Sequence, residues 1–76
     1  MLKGKHVTGT KQVLRAIEAN NALHIYLAND ADDVIRSQIQ KVCEKAGVEI
    51  TYVSTMMELG VMCGIAVKAA TAALIK

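Results

Sequence analysis

The thiol and imidazole side chains of this sequence, which could act as nucleophiles, bases or soft metal ligands, belong to two cysteines and two histidines. Cys63 lies between Gly60 and Gly64 and could serve as a thiol nucleophile, but no histidine lies near it in the sequence to accept its proton. Cys43 repeats with apolar residues at helical spacing and His24 alternates with apolar residues, so structural positions explain both more simply. We therefore expect a protein that is not an enzyme and needs no metal or cofactor. The alternative, a small cysteine-dependent enzyme, would be revealed by the reactivity of Cys63.

A group of aspartates, Asp30, Asp32 and Asp33, imitates the opening of a calcium-binding loop. The glycine and the distal glutamate of such a loop are missing, because Arg36 and Lys41 occupy those stretches. Capping of a helix explains the aspartates more simply. The sequence also lacks the glycine patterns of dinucleotide-binding and phosphate-binding loops, so it predicts neither kind of site.

Positive charge is concentrated at the start of the chain, although the net charge is only +2. The first acidic residue is Glu18, and it is preceded by four cations and a histidine: Lys3, Lys5, Lys11, Arg15 and His6. This asymmetry permits a polyanionic partner. Taken alone, it is explained more simply by a solvated, slightly basic amino-terminal segment.

The start of the first predicted helix carries the most informative polar side chains. Lys11 and Arg15 are spaced to share one helical face with Gln12. Cations in the first turns oppose the helix dipole, and a docked anion would offset that cost. Backbone N–H groups at Gly9, Thr10 and Lys11 would attract a phosphate. Gln12 could then read base edges while the two cations hold the nucleic-acid backbone or guanine acceptors.

Length and composition restrict the class of protein. The 76 residues allow one domain, and a hydrophobic content of 53% is ample for a compact core. The two tyrosines are too few for a platform that stacks single-stranded bases. The apolar run at residues 59–75 is short for a membrane span and contains Lys68, so no membrane segment is expected. No signal peptide is recognised, and the cysteine content suits a reducing cytoplasm.

The pattern of apolar and turn-forming residues predicts alternating helices and strands. We expect a helix within residues 7–21, starting at Gly9 or Thr10, and a strand at 22–28. A second helix should be capped by Asn29 or Asp30 and end at Gly47. Its expected core-facing stripe is Val34, Ile35, Ile39, Val42, Cys43 and Ala46.

The carboxyl-terminal half is predicted in the same way. A strand at residues 48–53 precedes a short helix that is capped by Ser54 or Thr55 and ends at Gly60. Residues 69–75 suit a helix or a central strand of small residues, and residues 5–8 could add a further strand. This order predicts a layered α/β architecture with helices covering both faces of a sheet.

The sequence resembles a known family, the kink-turn-binding ribosomal proteins of the L7Ae type, particularly their short bacterial members. The matching stretches are GTKQVLRAI at 9–17, LANDAD at 27–32, and LGVMCGIAV at 59–67 followed by AATAALI at 69–75. Their order and spacing agree along essentially the whole chain, so the resemblance implies a single RNA-binding domain over residues 1–76. It further implies a three-layer α/β/α sandwich around a mixed four-stranded sheet, with residues 69–75 forming a strand.

The resemblance also implies a function and a set of contact residues. Family members bind a sharply bent RNA stem whose tandem sheared G·A pairs open the groove, and the start of the first helix enters that groove. Carried over to this sequence, the helix start would be Gly9, Thr10, Lys11, Gln12 and Arg15. A loop before the last strand would cover the extruded nucleotides with Gly60, Val61, Met62, Cys63, Gly64 and Ile65.

Two positions depart from the family pattern, one in that loop and one directly after it. Val61 stands where a cation commonly follows the Leu-Gly pair, which removes one phosphate contact, and Ala66 replaces a usual acidic residue. We expect a cytoplasmic protein that stabilises kink-turns in structured RNA, with the ribosome as one source of that RNA and neither DNA nor membrane as a partner. The alternative is a protein-interaction adaptor on the same fold that uses the apolar loop at residues 60–65.

Overall fold

The computed structural model describes residues 4–76, so Lys3 of the basic amino-terminal segment lies outside the described part of the chain. Within residues 4–76, three helices and four strands alternate. The elements are β1 (His6–Thr8), α1 (Thr10–Glu18), β2 (Ala22–Ala28), α2 (Asp33–Ala46), β3 (Ile50–Val53), α3 (Met56–Met62) and β4 (Thr71–Ile75). The strand expected at residues 5–8 is present, and the ambiguous segment at residues 69–75 forms a strand rather than a helix.

The four strands form one mixed sheet in the order β1-β4-β2-β3. β4 runs antiparallel to both β1 and β2, whereas β2 and β3 are parallel. One face packs against α1 and α2 through a core that includes Val13, Ile25, Ile39 and Ala73. The other face packs against α3 through a second core around Leu59. The fold is therefore the expected three-layer α/β/α sandwich.

The ends of α2 follow the rules for helix caps, but not at the expected first residue. Asp32, rather than Asn29 or Asp30, caps the helix, because its carboxylate accepts the Val34 N–H at 2.8 Å. Gly47 ends the helix as expected, with φ of 70° in the left-handed region that glycine adopts without strain.

The core-facing stripe of α2 is narrower than expected. Ile39 and Cys43 are buried, and Ile35 and Val42 pack beside them as partly buried side chains. Val34 is 73% exposed, and Ala46 is also exposed. Val34 and Cys43 lie on opposite sides of the helix, because nine steps of about 100° end half a turn away. The inclusion of Val34 in the stripe was therefore wrong. Ala46 lies on the same face as Ile39, seven residues away, but it is the last residue of the helix and is exposed, so its inclusion was also wrong.

The helix α3 begins as expected and ends later than expected. Thr55 caps it, since its hydroxyl accepts the Glu58 N–H at 3.0 Å. Gly60 does not end the helix, which continues to Met62. A Cβ on Gly60 would lie well inside van der Waals contact of the Val67 carbonyl oxygen, so glycine permits the following loop to lie directly on the helix.

Asp30 links two elements that are distant in sequence. Its carboxylate accepts the Met56 N–H at 2.7 Å and so satisfies a donor at the start of α3 from the loop after β2. The run at residues 59–75 is divided among α3, a loop and β4, and within residues 4–76 no helix has the length and apolar character to cross a membrane.

Replacing Asp30 with alanine is expected to lower the free energy of unfolding by about 0.5–2 kcal/mol, as for loss of a helix cap. The reason is that the Met56 N–H loses its acceptor in a helix that has only two turns to spread the cost. Urea denaturation measures the change. Asp33→Ala is the matched control, because Asp33 forms only a surface ion pair with Arg36 and should change stability by about 0–1 kcal/mol. Equal losses in the two variants would contradict the role given to Asp30.

Candidate nucleic-acid interface

The start of α1 and the loop before β4 meet at one end of the sheet. The Gly9 N–H donates to the Thr71 carbonyl at 3.0 Å, and Thr71 is the residue at which the loop passes into β4. His6, in the strand before Gly9, hydrogen-bonds through Nε2 to the Cys63 carbonyl at 3.1 Å. The two segments that the sequence singled out are therefore neighbours on one surface.

The first turn of α1 has no side-chain cap. Gly9 occupies the cap position with φ of 94°, and its carbonyl accepts the Val13 N–H at 3.0 Å. Its own N–H donates to Thr71 of β4, so the prediction that this N–H would attract a phosphate was wrong. Within residues 4–76, the N–H groups of Thr10, Lys11 and Gln12 have no backbone acceptor, as expected for the first turn of a helix. These three donors are the ones that an anion or a base edge could use.

The predicted polar side chains of α1 lie beside this helix start. Lys11, Gln12 and Arg15 are all exposed, and Thr10 is half-buried. Gln12 and Arg15 also line a groove of about 210 Å³ between α1 and the edge of the sheet. Val7 and Ile75 form the apolar part of the same groove, and the side chains of Gln12 and Arg15 are exposed to solvent.

The predicted loop at residues 60–65 is divided between a helix and a turn. Gly60, Val61 and Met62 belong to α3, and the turn follows at Cys63 and Gly64. Gly64 has φ of 73°, a conformation that side chains other than glycine adopt with strain. The second glycine of the motif is therefore required by the turn, and the first is required by the packing under Val67.

The side chains of this segment differ in what they can contact. Val61 is 67% exposed, whereas Met62 and Ile65 are half-buried. Cys63 is only 6% exposed and packs in the core around Leu59. The expectation that its side chain packs against an extruded base was therefore wrong, because the thiol points into the protein.

The burial of Cys63 also bears on the enzyme alternative. Desolvation raises the pKa of its thiol, which disfavours the nucleophilic thiolate. Both cysteines are free, and Cys43 is buried in the core under α1 and α2 as expected. His24 has a structural partner, since its Nε2 lies 2.6 Å from the Thr51 hydroxyl. These surroundings do not support a cysteine-dependent reaction.

An apolar cleft lies beside the turn. The sequence predicted Val61 and Ile65 as site residues, but it did not predict the cleft. The cleft has a volume of about 570 Å³, and its lining residues are Met57, Val61, Ile65, Ala66, Val67 and Lys68. Met57 and Val67 are 65% and 69% exposed. The spacing of Met57 and Val61 places them on one face of α3, and this was the signal that could have identified the cleft.

Cationic side chains at this end of the molecule lie both on α1 and in the apolar cleft. Lys11 and Arg15 lie on α1 and Lys68 lies in the cleft, and the one ion pair within residues 4–76 is Arg36–Asp33. The carboxylates of Asp30 and Asp32 accept N–H groups at the starts of α3 and α2. An anion that approaches the start of α1 meets Lys11, Arg15 and the open N–H donors of the first turn.

The fold and this surface define a small α/β/α sandwich protein with a basic helix start and a glycine turn at one end of the sheet. The chain belongs to the ribosomal protein L7Ae/L30e/S12e/Gadd45 family, whose model matches residues 1–76. This confirms the resemblance drawn from the sequence.

Proteins similar to this chain carry names that describe RNA binding. It is 46% identical over 69 residues to an RNA-binding protein of Caldanaerobacter subterraneus, covering 91% of this chain and 84% of that protein. It is 41% identical to an RNA-binding protein of a Geobacillus species over 73 residues, which covers 96% of this chain and 89% of the relative. These names describe binding proteins rather than enzymes, in agreement with the expectation.

A solved structure supports the same relationship. The 15.5 kD RNA-binding protein of Giardia lamblia superposes with a TM-score of 0.85 at 25% identity. The alignment covers 93% of this chain and 60% of the Giardia protein.

Proposed function

We propose that this protein binds structured RNA, recognises kink-turns and stabilises their bent form. The observation that carries the proposal is the meeting of the uncapped, basic start of α1 with the glycine turn and the apolar cleft on one surface. A kink-turn presents the two features such a surface suits: a groove opened by sheared G·A pairs and nucleotides extruded from the stem. The names of the relatives support RNA as the ligand.

The start of α1 is assigned to the opened groove. The N–H groups of Thr10, Lys11 and Gln12 are available there, and the amide of Gln12 can donate to one base and accept from another. Lys11 and Arg15 neutralise phosphates on either side of the groove. Gly9 brings the backbone of the helix start to the surface without a side chain.

The turn and cleft are assigned to the extruded nucleotides. Val61 and Ile65 offer apolar contacts to a base, and Gly64 allows its backbone to come close to the RNA. Lys68 lies at the same cleft and can contact a phosphate. Gly60, Met62 and Cys63 are assigned an indirect role, because they hold α3 and the turn in place through packing.

Binding of this kind shifts a conformational equilibrium of the RNA. The protein stabilises the bent form by the difference between its affinities for the bent and extended forms. The proposal treats residues 1–76 as one RNA-binding domain that acts in the cytoplasm, with ribosomal RNA as one source of kink-turns.

Electrophoretic mobility shift with a kink-turn stem and a straightened stem of the same length tests the proposal directly. Preferential retardation of the kink-turn stem is the expected result. Equal affinity for both stems would reduce the function to general electrostatic adhesion. The apolar cleft also fits a protein partner, and that second candidate would gain support if neither RNA bound.

Gln12→Ala is expected to weaken kink-turn binding by about 1–3 kcal/mol while leaving binding to the straight duplex unchanged. The reason is that an amide reads base edges that only the opened groove presents. Isothermal titration with both RNAs measures the two affinities. A similar loss on both RNAs would contradict a base-reading role for Gln12.

Arg15→Ala is the matched variant for phosphate contact, one helical turn further along the same groove. It should weaken both RNAs and reduce the slope of log affinity against log salt by about one unit. A salt titration of the two variants separates the roles. An unchanged slope for Arg15→Ala would show that this cation does not contact phosphate.

A further inference from the structure

We propose that His6 is a positioning residue that holds the turn after α3 in register with the start of α1. The inference rests on the proposed function, because it assigns His6 a role in presenting both RNA-facing segments together. His6 itself lies in β1 and is half-buried. Its ring nitrogen Nε2 lies 3.1 Å from the Cys63 carbonyl oxygen, a residue distant in sequence.

The Cys63 carbonyl is a group that needs an external donor. The last carbonyls of a helix lack intrahelical partners, and Cys63 is the cap residue of α3. A ring that carries its proton on Nε2 donates to this oxygen, while Nδ1 lies 3.4 Å from the Gly4 carbonyl. His6 thus caps the carboxyl end of α3 from β1, the strand that precedes α1.

The local hydrogen bonds of the turn do not fix its position relative to α1. The N–H groups of Cys63, Gly64 and Ile65 all donate to carbonyls within α3, and the Ala69 N–H donates to Met56 at the start of that helix. Within residues 4–76, the bond from His6 is the hydrogen bond that joins Cys63 to β1.

The position of β1 makes this bond a link between the two segments. β1 is followed directly by Gly9 and α1, and Gly9 is bound to the first residue of β4. A displacement of the turn away from His6 would widen the gap between the helix start and the cleft. An RNA that contacts both segments would then lose contact with one of them.

The matched variants are His6→Leu, His6→Gln and His24→Leu. Leucine removes the donor, whereas the glutamine amide nitrogen reaches about as far as Nε2 and retains it. His24 is the control because it lies at the same level of the sheet, on the other side of Leu74, and contacts Thr51 instead of the turn.

Affinity for the kink-turn stem is the first readout. His6→Leu should weaken binding by about three- to tenfold, the effect of one net hydrogen bond. The affinities of His6→Gln and His24→Leu for the kink-turn stem should stay within about twofold of that of the parent protein. Urea denaturation of each variant identifies any loss that comes from unfolding. The inference is overturned if His6→Gln binds as weakly as His6→Leu, or if His6→Leu binds as well as the parent protein.

Amide NMR spectra of the RNA-free proteins are the second readout, and they are independent of the proposed function. Both His6→Leu and His6→Gln lack the imidazole ring, which by itself shifts nearby amide signals, so the two variants are compared with each other. The amide signals of Gly64 and Ile65 should be broadened in His6→Leu and sharp in His6→Gln, which retains the hydrogen-bond donor. If the parent protein shows no preference for the kink-turn stem, the proposed function fails while these spectra still decide whether His6 positions the turn. Equally sharp signals in the two variants would overturn the positioning role.

Discussion

Gly60→Ala is expected to lower the free energy of unfolding by about 1–3 kcal/mol. The added methyl group would overlap the Val67 carbonyl oxygen and also approach Lys68 Cα, both of which are backbone atoms. A flexible side chain could move aside, but here the whole loop must be displaced from α3. Urea denaturation measures the loss.

The same substitution should also weaken RNA binding, because displacement of Val67 and Lys68 opens the cleft. Met57→Ala provides the matched control, since Met57 lines the cleft from α3 and is 65% exposed. It should leave stability within about 0.5 kcal/mol, as for other surface substitutions. Full stability in Gly60→Ala would contradict the close approach of helix and loop.

Gly9→Ala is expected to lower the free energy of unfolding by about 1–3 kcal/mol and also to weaken kink-turn binding. Gly9 has φ of 94° and ψ of 146°, a region that residues with a Cβ rarely adopt. A Cβ would have open space around it, so the cost comes from the backbone conformation alone. Relief of that strain would rotate the first turn of α1 and misdirect its N–H donors.

Gly47→Ala is the matched control for Gly9→Ala. Gly47 also has positive φ and open space around it, but it ends α2 and precedes β3 at the other end of the sheet. It should lose stability by about 1–2 kcal/mol, the cost of the left-handed conformation, and retain its affinity for RNA. Parallel losses of affinity in both variants, measured by titration at a temperature where both are folded, would show that stability rather than the geometry of α1 limits binding.

Local patterns were sufficient to predict most of the architecture. A short apolar run with a β-branched and an aromatic residue identified β2, and helical spacing with Gly47 identified α2. A cap at Ser54 or Thr55 identified the start of α3. These features depend on interactions between residues that are close in sequence, so a short segment of sequence is enough to predict them. The strand at residues 71–75 was settled by the family resemblance, because alanine-rich sequence suits either element.

The errors concern residues whose role depends on distant parts of the chain. Gly60 has the sequence signature of a helix end, yet it lies inside α3, where glycine is needed because the Val67 carbonyl packs on it. Asp30 was one of the two residues expected to cap α2, the other being Asn29, but the donor that it satisfies belongs to Met56. The family resemblance implied that Cys63 faces the RNA, whereas the fold turns its side chain into the core.

The candidate site was predictable in outline and not in detail. The spacing of Lys11, Gln12 and Arg15 identified the exposed face of α1 correctly. The contributions of Met57, Val67 and Lys68 to the cleft depend on how the loop folds over α3, which no local pattern specifies.

The most direct measurement is a map of amide chemical-shift changes in the protein as a kink-turn stem is added. If the helix start and the turn act as one RNA-facing patch, signals from residues 10–15 and 61–68 should change together and saturate at the same RNA concentration. Amides around Gly47, at the far end, should not move. Changes confined to one of the two segments, or centred on the far end, would contradict the account.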